Sequence, residues 1–79
     1  MSGRLPSLSS DEIARVLKRA GFVFLPKRGK GSHRAYTKVD VNGMRRLVIV
    51  PYRKDVARGT VRSILEQAGL SEEEFLRLL

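Results

Sequence analysis

A chain of 79 residues holds one domain with a small two-layer core and no deep internal cavity, so any site must lie on its surface. With no cysteine and a single histidine, disulfides, thiol nucleophiles, cysteine-bound zinc and histidine-rich metal clusters are excluded by inventory. The formal charge is +8, and residues 22–58, with ten basic and two acidic side chains, hold the whole surplus; a positive field concentrated in this way draws polyanions, nucleic acid first.

No apolar run approaches the roughly 20 residues that span a bilayer. The opening "MSGRLPSLSS" lacks the apolar centre of a signal peptide, which predicts a soluble cytoplasmic protein with no membrane partner. Residues 1–8 read as a loose lead-in, and 1–79 as a single domain.

The first helix is predicted in "SSDEIARVLKRAGF". Ser9 and Glu12 have capping-box spacing, and Ile13, Val16, Leu17 and Ala20 recur at i, i+3, i+4 and i+7 as one apolar stripe. Gly21 fits the left-handed residue that ends a helix, with Phe22 folding back. Between residues 22 and 51 the period changes to two. "FVFL", "SHRAYTKV" and "MRRLVIVP" read as strands, and "DVNG" between the last two predicts a tight hairpin in which Asn42 and Gly43 take positive backbone angles.

A second helix follows in "VRSILEQAGL", with Val61, Ile64, Leu65 and Ala68 as its stripe and Thr60, or Gly59 before it, as its cap. A short third helix is predicted in "SEEEFLRLL", where Ser71 and Glu74 again have capping-box spacing and Phe75, Leu76 and Leu79 reach the core. The fold class is α+β: helix, three antiparallel strands, helix. Each main helix has one apolar stripe, so both must cover the same sheet face and leave the other in water.

The single histidine, His33, sits in "KRGKGSHRAY" among Lys27, Arg28, Lys30 and Arg34. Gly29 and Gly31, lacking Cβ atoms, let backbone approach a phosphate closely. Strand alternation puts His33, Ala35 and Thr37 on one face and Ser32, Arg34 and Tyr36 on the other. Ser32 therefore points away from His33, which argues against a serine nucleophile, and no orienting acid lies close by in sequence.

A lone imidazole can nevertheless move protons near neutral pH. RNA carries its own nucleophile, the 2′-hydroxyl, so proton transfer plus cations to hold the phosphate is enough to cut it without a metal. The alternative is an exposed histidine on a phosphate-binding or merely solvated strand. Around it, Gly31, Ser32, Arg34, Arg53, Lys54 and Arg58 join Lys27, Arg28 and Lys30 as candidate phosphate contacts, the loop "YRKDVARGT" leading into a helix start. Arg45 and Arg46, adjacent on a strand, cannot both face one ligand. Tyr36 and Tyr52 are candidates for base stacking or for half-buried packing.

Taken together, "GSHRAY", the strand ending "VIVP", and "GTVRSILEQAGLSEEEF" resemble the HicA family, also called YcfA-like, over residues 10–78. The resemblance implies a double-stranded-RNA-binding-domain-like fold and a toxin of a toxin–antitoxin pair. It also implies a cofactor-free endoribonuclease that arrests translation by cutting mRNA, single-stranded or structured, and that a HicB-type antitoxin holds inactive. It makes His33 the catalytic residue. Many relatives carry a second histidine two residues beyond the strand-ending proline, whereas here Pro51 is followed by Tyr52 and Arg53. Two other classes compete with this reading: a non-catalytic RNA-binding module of the same fold, and an interaction domain whose basic face meets an acidic protein.

Overall fold

In a computed structural model that describes residues 5–26 and 31–79, the elements run α1 (Ser10–Arg19), β1 (Val23–Leu25), β2 (His33–Val39), β3 (Arg45–Pro51), α2 (Arg58–Ala68) and α3 (Glu72–Leu78). The three strands form one antiparallel sheet in the order β1-β2-β3. This is the predicted α+β arrangement, with the third helix appended.

Two of the three helix starts are fixed by side chains. The Ser9 hydroxyl accepts from the Glu12 N–H at 3.1 Å and the Glu12 carboxylate accepts from the Ser9 N–H at 2.9 Å. Ser71 and Glu74 repeat the device at 3.0 and 2.9 Å. There the Ser71 N–H, foremost, holds the Glu74 carboxyl below the usual carboxylate range. α2 differs from expectation: neither Gly59 nor Thr60 caps it, because the helix already begins at Arg58 with Ala57, which has no side-chain acceptor, in the capping position.

The core joins one stripe from each main helix to one face of the sheet. Ile13, Val16 and Leu17 of α1, and Val61, Ile64, Leu65 and Ala68 of α2, meet Tyr36, Val48 and Val50. Phe75 of α3 is fully buried with them. From the last turn of α3, Leu76, as predicted, and Leu78 pack on the core, while Leu79, predicted to do so, is exposed. The N-terminal lead-in also departs from expectation. Leu5 and Leu8 are core residues, and the Leu8 carbonyl accepts from the Val56 N–H at 2.7 Å. Burying a leucine stabilises by about 1.5–3 kcal/mol, enough to hold a segment that has no periodicity of its own.

The hairpin between β2 and β3 lies where predicted but is built differently. Its register places Val39 opposite Arg45, and Asp40 N–H donates to the Met44 carbonyl at 2.8 Å, leaving a three-residue loop. Gly43 alone has a positive φ, +79°; Asn42 does not. That is a type I turn closed by a left-handed glycine, the preferred form for a loop of this length. Asp40 organises it. Its Oδ1 accepts from the Asn42 and Met44 N–H groups, and its Oδ2 from Arg46 Nε at 3.2 Å.

Two outcomes follow for stability. Ile64→Ala, which empties a buried position between α2 and the sheet, should cost about 2–5 kcal/mol in urea unfolding. The Asp40 carboxyl is held below its ordinary range, chiefly by the Met44 N–H, so its stabilising contribution is present above the unfolded value and lost as pH falls through the folded one. Asp40→Asn should therefore unfold at lower denaturant near neutrality and lose less stability than the parent as pH falls below about 4, as read by acid titration of far-UV circular dichroism.

Candidate functional site

The alternation of β2 decides where the histidine goes. Tyr36 is buried under the helices, and the register pairs it with Val48 of the core. His33, an odd number of residues away, therefore emerges on the opposite face, where it is exposed; Ala35 and Thr37 share that face but are buried, and the neighbouring strands add Val23, Leu47 and Ile49 to it. Gly31, just before it, has φ +58°, a conformation strained for any side-chain-bearing residue, and nothing crowds its missing Cβ.

His33 opens onto a cleft of about 520 Å³ at the outer edge of β3. The sheet contributes His33, Ile49 and Pro51; the connection to α2 contributes Arg53 and Asp55; α2 contributes Thr60 and Gln67. Pro51 lies directly opposite His33 in the register, which carries the chain beyond it, and with it Arg53, to the rim beside the imidazole. Backbone bonds fix that connection: Ser10 N–H donates to the Arg53 carbonyl at 2.9 Å, and Arg53 N–H donates to the Ser10 hydroxyl at 3.2 Å. Arg53 occupies the position two residues past the strand-ending proline and lines the same cleft as His33.

The other candidate residues separate. Arg34 leaves β2 on the face opposite His33, and its guanidinium lies 4.4 Å from the centre of the Tyr52 ring. This stacking spends one face of Tyr52, which is about half exposed (51%) rather than packed in the core. Tyr36, by contrast, is core, with Phe24 tilted against it at 5.6 Å. Ser32 is exposed, and its carbonyl accepts from the Tyr52 N–H. Lys54 and Arg58 are exposed, Arg58 on the uncapped first turn of α2. Lys27, Arg28, Gly29 and Lys30 lie outside the described residues. Arg45 and Arg46 part as alternation requires. Arg46 reaches Asp40 and the Gln67 carbonyl, while Arg45 donates to the Thr37 hydroxyl at 3.4 Å on the open face.

Two cleft residues escaped the sequence. Asp55 is a carboxylate in the same cleft as His33, although nothing acidic adjoins the histidine along the chain; it accepts from the Ser7 hydroxyl. Gln67 stands seven residues after Thr60, on the same flank of α2, and its Oε1 accepts from the Ile49 N–H at 3.0 Å. The i, i+7 spacing was visible, but that this flank would border the edge of β3 depends on the assembled fold.

A small basic α+β protein with an exposed histidine on the uncovered face of a three-stranded sheet is the class these features define. Residues 10–70 match the family model described as the HicA toxin of bacterial toxin–antitoxin systems, and the chain belongs to that family. It is a toxin-family member with an antitoxin partner implied. No curated protein matches the sequence. Among the described residues no helix is long and apolar enough to cross a membrane.

Proposed function

We propose that this protein is the toxin of a type II pair and a metal-independent endoribonuclease that cleaves mRNA, with His33 as its catalytic residue. The observation that carries the reading is the pairing of an exposed His33 with Arg53 on one open cleft. In the reaction, neutral His33 takes the proton of a 2′-hydroxyl and that oxygen attacks the adjacent phosphorus. The P–O5′ bond breaks, the departing 5′-oxygen takes a proton from water, the hydroxide so formed takes back the proton held by His33, and the products are a 2′,3′-cyclic phosphate and a free 5′-hydroxyl. Arg53, which lines the same cleft, pairs its guanidinium with a non-bridging phosphate oxygen as charge builds there.

Lys27, Arg28, Lys30, Gly31 and Ser32, just before His33, and Lys54 and Arg58, near the start of α2, hold the flanking phosphates. Arg34 serves the same backbone from the other face of β2. Cleavage of messages in the cytoplasm stops translation, and a HicB-type antitoxin restrains the enzyme by covering His33. The sheet face that carries His33 supports such a cover, since toward the other end of β2 it leaves apolar side chains in water: Val23 is 62% and Val39 52% exposed.

His33→Ala, incubated with RNA in EDTA, should lose strand scission by about 10²-fold or more while retaining affinity within a few-fold. Binding by both proteins with cutting by neither would end the enzyme reading and leave an RNA-binding module. Arg53→Ala should slow cleavage by about 10- to 100-fold, the loss expected for one charge-assisted hydrogen bond, with a shallower dependence of binding on salt in filter-binding titrations.

A further inference from the structure

The two tyrosines have different fates. Tyr36 is buried, whereas Tyr52, one residue past the end of β3, keeps about half of its surface in water. Exposure of a single ring is common on protein surfaces; what sets this one apart is that it is held in place. The Tyr52 N–H donates to the Ser32 carbonyl, which extends the β2–β3 ladder one step beyond the His33–Pro51 pair. Arg34, two residues from Ser32 on the same face of β2, lays its guanidinium 4.4 Å from the ring centre. A planar cation against one face fixes the tilt of the ring, and the surface left for a ligand is the part turned away from Arg34.

We infer that Tyr52 is a stacking site for one unpaired nucleobase of the bound RNA, with Arg34 holding the phosphate attached to it. The inference rests on the RNA-cleaving role proposed for the chain and adds to it a contact on the far side of the sheet from His33. A nucleobase is the flat, π-faced ligand that such a ring accepts, and stacking places little demand on which base it is. Arg34 supplies the other half of nucleotide recognition. A guanidinium stacked through its face keeps its N–H donors in its own plane, where they fork onto phosphate oxygens.

The place of the ring allows one RNA strand to serve both faces of the sheet. Pro51 stands opposite His33 and Tyr52 follows it, so the imidazole and the ring flank the same end of the β2–β3 ladder. At that end the backbone is bare: Gly31 has no side chain, and nothing among the described residues beyond its chain neighbours comes within 4 Å of where its Cβ would stand. A strand bending over this end meets His33 on one face and Tyr52 on the other. Within a duplex both faces of a base are covered by its neighbours, so the base taken here belongs to a locally unpaired segment. Because the ring is already held by Ser32 and Arg34, part of the ordering cost of stacking is met before RNA arrives.

The test uses the full chain, uncleavable 2′-O-methyl hexaadenylate, and an abasic hexamer of the same sugar and charge, so that stacking is read apart from phosphate binding and from catalysis. The parent should bind the base-bearing oligomer at least about fivefold more tightly than the abasic one. Tyr52→Leu, whose folding is checked by thermal melting, should bind the base-bearing oligomer about fivefold or more weakly than the parent and the abasic one unchanged. Tyr52→Phe, which keeps the ring, should restore the difference. The chain has no tryptophan, so Tyr52→Trp carries a single indole, and its fluorescence should fall with the base-bearing oligomer and not with the abasic one. A ratio of the two affinities that is the same in Tyr52→Leu as in the parent, or indole fluorescence that does not distinguish the oligomers, would overturn the stacking site while leaving RNA cleavage standing. Failure of the parent to bind either oligomer would remove the RNA reading and the stacking site with it.

Discussion

The burial of Tyr36, Val48 and Val50 under two helices is the constraint on which the rest of the molecule depends. A strand has only two faces, so once these three residues are committed to the core the opposite residues have no choice of direction. His33 is thrown outward by the same alternation that buries Tyr36, and a slip of one residue in the register of β2 would exchange them. Core packing and site geometry are thus one decision. The histidine needs no dedicated scaffold, because the helices specify its exposure from the far side of the sheet.

A second consequence concerns the edge of β3. An outermost strand leaves backbone N–H groups unpaired, an invitation to aggregate or to bind. Here α2 lies against that edge and Gln67 satisfies the Ile49 N–H. The same arrangement holds the flank of α2 beside the strand and so forms the cleft onto which His33 opens. The start of α2 lies close by with no side-chain cap, and α1 is tied to the connection through Ser10 and Arg53. A cleft at the meeting of a strand edge, a helix flank and a connecting loop is what a chain too small for an interior cavity can build.

Local signals in the sequence carried most of the fold. Capping boxes at Ser9 and Ser71 and the apolar stripes of α1 and α2 depend on residues within two turns of one another, so they are legible without tertiary context. The misreadings arose where distant contacts decide. Leu5 and Leu8 are buried in the core, Leu8 bridged to Val56, and nothing periodic in "LPSLSS" announces it. Asn42 seemed to demand a two-residue turn, but Asp40 recruits three neighbours with its carboxylate and shifts the positive angle to Gly43 alone. For the site, alternation placed His33 and separated Arg45 from Arg46, whereas Asp55 and Gln67 come to line the same cleft as the histidine only through chain closure.

On the proposed reading, the openness of the site shapes both its chemistry and its control. A shallow cleft cannot exclude water, so strengthening of electrostatic interactions in a dry pocket is not available to it. What remains is a nucleophile supplied by the substrate, one proton acceptor and a cation on the phosphate, with alignment supplied by contacts on either side of the reacting bond. The same openness makes restraint simple. No lid has to be locked, and a partner that lies across the exposed valines of the sheet and extends to the His33 end of β2 also shadows the imidazole. An enzyme site that any flat surface can cover suits a protein whose activity is governed by the presence of another chain.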